Sequence, residues 1–294
     1  MTKGNSGLPS ISIVTPSYNQ GPFIEATVRS VFLQRYPNLE YILMDGGSSD
    51  ETVARLEPYR DRFAYYVSAK DQGQADAICR GFERSTGEIM AYLNSDDVLL
   101  PGCLNYVADY FRRHPEVDMV YGHRGIIDEK DTVNGHWILP RHSSVLMRRW
   151  DLIPQESCFW RRSLFEREGN IDPSFRFAMD YDLFVRFMRS GRVRRVPRFL
   201  AAFRIHGDSK TQTQWFSIGQ GEVARVRGQY RIRIHNNILG GLFSYAVQLR
   251  SALFVRRHEA YPGLPPGVGY NLNEVWGGLL TPGGNEIDET SPVA

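Results

Sequence analysis

Ile89-Met90-Ala91-Tyr92-Leu93-Asn94-Ser95-Asp96-Asp97 is the stretch on which the reading of this chain turns. Residues 89–93 form a short apolar run bounded by polar turn residues, which predicts a buried strand. The run ends in two adjacent carboxylates, which are costly beside a buried strand unless positive charge compensates them. A divalent cation bound to a diphosphate supplies such charge, because Mg²⁺ or Mn²⁺ takes one or two carboxylates together with substrate phosphates. The alternative is a helix cap. Asp97 precedes Leu99 to Leu104, and carboxylates favour helix starts. These nine residues alone do not choose between the two.

Working outward, residues 11–15 are β-branched and apolar and end at Pro16, so they read as a strand. Phe23, Ile24, Val28, Val31 and Phe32 fall at helical spacing within 22–34. A second strand over 39–44 runs into Asp45-Gly46-Gly47, and Ser48 with Glu51 has the form of a capping box that starts a helix. A strand at 63–67 and a helix over about 74–85 follow, then the strand at 89–93. This alternation predicts βαβ units, with a parallel sheet covered by helices on both faces. In such sheets ligands bind at the carboxyl ends of the strands. Four polar loops fall there: Thr15-Pro16-Ser17-Tyr18-Asn19, Asp45-Gly46-Gly47-Ser48, Lys70-Asp71-Gln72-Gly73 and Asn94-Ser95-Asp96-Asp97.

Each loop also has a plainer reading as a turn or cap. Two glycines after Asp45 allow a tight turn and close backbone approach to a ligand, but Ser48 could equally cap a helix. Asp180-Tyr181-Asp182 opens an apolar helical stripe through Leu183, Phe184, Phe187 and Met188. Its carboxylates are either helix caps or a general base. His206 follows a strand predicted at 193–203 and reads as structural, as a metal ligand or as a phosphate partner. A helix at 102–113 and a strand near 117–121 complete the regular part, and 124–175 gives little pattern.

The 294 residues carry a formal net charge of +2, with 42% hydrophobic and 23% charged residues. That is a globular composition, and it lacks the concentrated basic face that nucleic acid requires. Cys79, Cys103 and Cys158 are too scattered for a disulfide framework or zinc site and are expected as reduced thiols. Met1 to Ser10 has no apolar leader-like core, and no run of about 18 apolar residues occurs. The expectation is a cytoplasmic protein, with possible peripheral contact at the inner face of a membrane.

Taken in order, the motifs resemble a family 2 glycosyltransferase of the GT-A fold. The matching stretches are Val14–Asn19, Met44–Thr52, Asp71–Ala77, Thr86–Ile89, Leu93–Asp97, Phe159–Arg162, Met179–Leu183 and Phe203–His206, spread over about residues 10–212. The resemblance implies an α/β fold with a Rossmann-like, mostly parallel central sheet flanked by helices. It implies inverting transfer of a sugar from a nucleotide-diphosphate sugar, a UDP-sugar first among donors, to a saccharide or lipid-linked saccharide. It implies Asp45 on the nucleobase with Thr15, Pro16 and Tyr18 lining that pocket, Asp71 and Gln74 supporting base and ribose, and Ser95 and Asp96 near the ribose or donor sugar. It implies Asp97 on an Mn²⁺ or Mg²⁺ ion that bridges the diphosphate, His206 completing that site, and Asp180 as base with Asp182 the alternative. Two positions depart from the family: Gly46 stands where a second Asp is common, and Met179 where Glu often precedes the base.

The expected organisation is a transferase domain over 1–212, with a donor half at about 10–100 and an acceptor half at 101–212. A helical, arginine-rich extension follows over 213–261, then a loosely ordered Gly- and Pro-rich tail over 262–294. Residues 222–257 hold seven arginines and one acid, Glu222. That segment reads either as helices packed on the core or as a surface for anionic lipid. A sugar nucleotidyltransferase would need a basic residue in the loop after the first strand, and Thr15 to Gly21 has none. A dinucleotide oxidoreductase would need Gly-x-Gly-x-x-Gly there. A non-catalytic nucleotide-sugar-binding module is opposed by the joint presence of Asp45, Asp96, Asp97, Asp180 and His206.

Overall fold

A computed structural model describes residues 7–207, 209–233, 268–277 and 280, with Leu242, Ala246 and Leu249 described singly. The first half alternates as read: β1 (Ile11–Ser17), α1 (Gly21–Phe32), β2 (Leu39–Asp45), α2 (Thr52–Leu56), β3 (Tyr65–Ser68), α3 (Gln74–Arg84) and β4 (Ile89–Tyr92). The second half adds β5 (Val98–Leu99), α4 (Cys103–Arg113), β6 (Met119–Ile127), β7 (Val133–Trp137), α5 (Ser144–Trp150), β8 (Cys158–Arg161), α6 (Arg162–Glu168), α7 (Met179–Ser190) and β9 (Val193–Arg204). Beyond it lie α8 (Lys210–Thr213), a π-helical turn (Trp215–Gly219), α9 (Gln220–Gln229) and α10 (Leu272–Val275).

One sheet runs through both halves in the order β3-β2-β1-β4-β8-β6-β9-β5, with β7 paired to β6. The first four of these strands are mutually parallel, as is the long β6–β9 pair. Antiparallel pairing enters at β8, β7 and β5. Side chains alternate across the sheet, and both faces are covered. Ile11, Ile13, Tyr41, Leu43, Ile89 and Ala91 pack with α1 and α4, whereas Val14, Ile42, Met44, Met90 and Tyr92 pack with α3 and α7. The three cysteines are free thiols.

Three local expectations change. The Ser48–Glu51 box does not cap: α2 begins at Thr52 without a side-chain cap, and the Ser48 hydroxyl donates to Asp45 instead. The carboxylate at the strand end outcompetes the helix for that donor. Asp97 caps no helix either, because Val98–Leu99 pairs with β9 as a strand. The strand near 117–121 extends to Ile127 once β9 supplies a parallel partner. Of the extension expected over 213–261, residues 213–233 are described, with Leu242, Ala246 and Leu249 singly. There α9 buries Val223 and Val226, and an Arg227 guanidinium N–H donates to the Arg149 carbonyl at 2.7 Å. The rest of it, and most of the expected tail, lie outside the described residues.

Candidate active site

The carboxyl ends of β1, β2 and β4 open on a cavity of about 580 Å³. Six of the expected site residues border it, Pro16, Tyr18, Asp71, Gln74, Ser95 and Asp96, and His206 stands behind Asp96. The two loops that floor it are laced together. The Asn19 amide donates to the Ser48 hydroxyl (2.8 Å), and the Ser49 amide donates to the Asn19 side chain (2.9 Å). Tyr18 is 62% exposed, so its ring is free to meet a ligand.

Gly46 has a steric reason. A Cβ there would lie 2.8 Å from Asp71 Oδ2, so the space a second aspartate would take is filled by Asp71. Asp71 in turn accepts from the Gly73 amide at 2.8 Å.

Four expected residues lie behind the cavity wall rather than on it. Thr15 is fully buried, with its hydroxyl bonded to Tyr41 at 3.0 Å. Asp45 is buried and accepts from the Gly47 and Ser48 amides and the Ser68 hydroxyl. Asp97 is fully buried, and its Oδ1 accepts from the Arg204 backbone amide at 3.0 Å. Burial, then the charges of Asp96 and Glu156, pushes the Asp97 carboxyl well above the usual carboxylate range. Asp180, in the first turn of α7, is half-buried and set back from the cavity lining.

The carboxylate that meets His206 is therefore that of Asp96, not Asp97: Oδ2 stands 3.1 Å from Nε2. Phe23 packs on the His206 ring with centroids 4.6 Å apart. Buried Arg204 fixes this corner by donating to the Asp96 carbonyl (2.8 Å), the Asp128 carbonyl (2.8 Å) and Asp131 (2.6 Å). An oxygen and an imidazole nitrogen suit Mn²⁺ or Mg²⁺ when phosphate oxygens complete the sphere. Asp96 and His206 thus fit the implied metal, and Asp97 lies behind them with its Oδ1 taken by the Arg204 amide. Among the described residues no group of three or more such ligands forms a closed site.

Asp180 and Asp182 differ in their partners. Asp182 is buried and tied to Arg186 (2.9 Å) and the Tyr230 hydroxyl (2.9 Å). Asp180 accepts from the Tyr181 amide at 2.9 Å and has no side-chain partner among the described residues. Burial raises it to about 6, with the Tyr181 amide drawing it down, the Glu156 charge adding to the rise and Arg124 opposing it. Asp151 is raised to about 8 by burial and then by the Asp180 charge. That pK range suits a general base near neutral pH.

Sequence reasoning did not single out Asn94, Gln155, Ser17, Ser209 or Lys210. A relay joins three of these to Gln74. Lys210 Nζ donates to Gln74 Oε1 (2.5 Å), Gln74 Nε2 to Asn94 Oδ1 (2.7 Å), Asn94 Nδ2 to Gln155 Oε1 (3.2 Å), and Gln155 Nε2 to the Tyr92 carbonyl (2.7 Å). The available signal was adjacency: Ser209 and Lys210 follow His206 by three and four residues.

With this geometry in place, comparison with known proteins is consistent. Residues 12–172 match the family described as Glycosyl transferase family 2. An uncharacterized glycosyltransferase of Nostoc sp. (strain PCC 7120) is 25% identical over 91% of this chain and 86% of its own length. The crystal structure of S. aureus TarS 1-349 in complex with UDP-GlcNAc shares the fold, with a TM-score of 0.57 and 16% identity over 68% of this chain and 60% of that one. So does the mannosyltransferase PcManGT from Pyrobaculum calidifontis in complex with GDP-Man and Mn²⁺, at a TM-score of 0.52 and 18% identity over 69% of this chain and 59% of that one.

Proposed function

Because the chain belongs to glycosyl transferase family 2 and is a glycosyltransferase, we propose that it moves a sugar from a nucleotide-diphosphate sugar to an acceptor hydroxyl in one inverting displacement. The observation that carries this reading is the Asp96–His206 pair at the edge of a cavity walled by the carboxyl ends of three parallel strands. The TarS and PcManGT complexes support a nucleotide-sugar donor, and UDP-sugars are the first class to test.

Of the residues that border the cavity, we assign Pro16 and Tyr18 to the base, Asp71 and Gln74 to base and ribose, and Ser95 and Asp96 to the ribose or donor sugar. Thr15 and Asp45 act on that pocket from behind, by holding the loops that form it. A divalent ion held by Asp96 and His206 would supply Lewis-acid compensation for charge growing on the diphosphate. Asp97 keeps the turn in place through Arg204. Asp180 takes the proton of the acceptor hydroxyl as that oxygen attacks the anomeric carbon, while the bond from carbon to the diphosphate breaks with its electron pair on the leaving oxygen. The transition state is oxocarbenium-like.

We assign the acceptor to saccharides or lipid-linked saccharides of surface-glycan synthesis. Residues 222–257 are the candidate contact with a membrane's cytoplasmic face. Among the described residues no helix is long and apolar enough to cross a membrane.

Calorimetric titration with UDP and GDP, with and without Mn²⁺, tests the reading. Metal-dependent binding of one of them, lost in Asp96→Ala, supports it. Absence of binding under both conditions points instead to a module that kept the fold and lost the chemistry.

A further inference from the structure

Two polar side chains of the segment that follows β9 border the cavity. Ser209 borders the cavity, is only 6% exposed, and its hydroxyl has no hydrogen-bond partner among the described residues. A buried hydroxyl without a partner costs free energy unless a ligand or water meets it. Lys210 also borders the cavity. Among the described residues its ammonium reaches only neutral oxygens, Gln74 Oε1 at 2.5 Å and the Arg176 carbonyl at 3.4 Å. Carboxylates of Asp96, Glu222, Asp180 and Asp71 bear on it electrostatically, Asp96 most of all, yet none is close enough for an ion pair. A lysine ammonium carries three donors, so a partner of opposite charge is still to be found on the cavity side.

The neighbourhood narrows what that partner is. Asp96 and His206 mark one side of the same corner, with His206 three to four residues back along the chain. With Asp71 and Asp96 both on the cavity wall, a dianionic or trianionic ligand needs more positive charge than one divalent ion brings. Resting on the transferase reading above, we propose that Ser209 and Lys210 clamp the diphosphate of the donor, with Lys210 a catalytic residue that stabilises the departing nucleoside diphosphate.

The step balances without a new co-reactant. The acceptor oxygen forms its bond to the anomeric carbon and its proton passes to the Asp180 carboxylate. The anomeric carbon releases the β-phosphate oxygen with its electron pair. Lys210 stays protonated throughout and donates hydrogen bonds to the diphosphate as its charge grows, so its contribution is larger in the transition state than in the bound donor. Its present bond to Gln74 makes it ready at the mouth, and turning to the ligand exchanges one neutral acceptor for a charged one.

The test separates an anion contact from a structural tie. Wild type, Lys210→Gln, Lys210→Arg and Ser209→Ala are titrated with UDP and GDP, and with uridine and guanosine, in the presence of Mn²⁺. For the nucleotide that wild type binds, Lys210→Gln should weaken the diphosphate about ten- to hundredfold, the loss of a hydrogen bond to a charged group, and leave the nucleoside unchanged. Lys210→Arg should recover most of that affinity, and Ser209→Ala should show a smaller loss of the same kind. Equal weakening of nucleoside and diphosphate would mean that Lys210 acts only through Gln74 and the cavity shape, and would overturn the proposal. So would undiminished diphosphate binding by Lys210→Gln. Failure of wild type to bind either nucleotide strikes the transferase reading itself, and the clamp with it.

Discussion

At the scale of single residues, the site sorts carboxylates by their partners. Asp180 is raised to about 6, and a base acts only when ionised. Transfer at saturating donor should therefore rise with pH through about 6 and level off above it. Asp180→Asn should lower turnover on the order of 10²- to 10⁴-fold with the fold intact by circular dichroism, and near-normal turnover would remove Asp180 from the mechanism. Asp151 offers a second check. Its carboxyl is raised from 3.8 to about 8, so the folded chain holds that proton more tightly than the unfolded chain does. Stability then falls as pH climbs between those values. Asn tolerates the left-handed backbone at this position, where φ is 48°. Asp151→Asn should raise Tm, and by more near pH 8 than near pH 4. An equal gain at both would show that the charge does not carry the effect.

Among elements, the most informative contact is α9 against the start of α7. Glu222 is the single acid in the arginine-rich stretch over 222–257. It accepts from the backbone amides of Arg176 (2.9 Å), Phe177 (2.8 Å) and Ala178 (2.9 Å). Those amides precede α7, whose first turn carries Asp180, and a carboxylate there satisfies orphan donors and the helix dipole. Glu222→Ala should cost about 1–2 kcal/mol in denaturant unfolding and lower turnover as well, through a loosened Asp180. A stability loss with turnover untouched would confine Glu222 to capping. The α3–β1 contact is tighter. A Cβ at Gly81 would stand 2.4 Å from Val14 Cγ1, so Gly81→Ala should lower Tm even though alanine is the better helix former by about 1 kcal/mol. β8 explains why the second half resisted reading. Four residues, Cys158-Phe159-Trp160-Arg161, sit mid-sheet between β4 and β6, too short and too aromatic to show a period. Trp160 there touches Phe82, Phe184 and Phe187, and only those distant rings reveal its place.

For the whole molecule, the continuous sheet means that both halves of the chain share one framework, with the cavity at the ends of its parallel strands. The described part of the arginine-rich segment packs on that framework. Arg227 reaches the Arg149 carbonyl, and Arg225 lies 4.1 Å over Phe175. Around the π-helical turn, Phe216 is 83% exposed and Trp215 36%. If residues 222–257 also dock on lipid, co-sedimentation should increase with the anionic fraction of the vesicles and weaken with salt. Indifference to lipid charge would leave packing as the segment's role.

Alone, the sequence determined the alternation of β1 to β4 with their helices and the four polar loops at the strand ends. Those features depend on local periodicity, and local periodicity is written in neighbouring residues. The tertiary structure decided which carboxylates face the cavity. Asp97 is turned inward by an amide 107 positions away at Arg204, Asp182 is claimed by Tyr230 48 positions on, and Ser48 serves Asp45 rather than its own helix. It also brought Lys210 to Gln74 across 136 positions. The direction of a polar side chain follows its strongest available partner, and that partner is set by the packing of the sheet, not by the residues beside it in the chain.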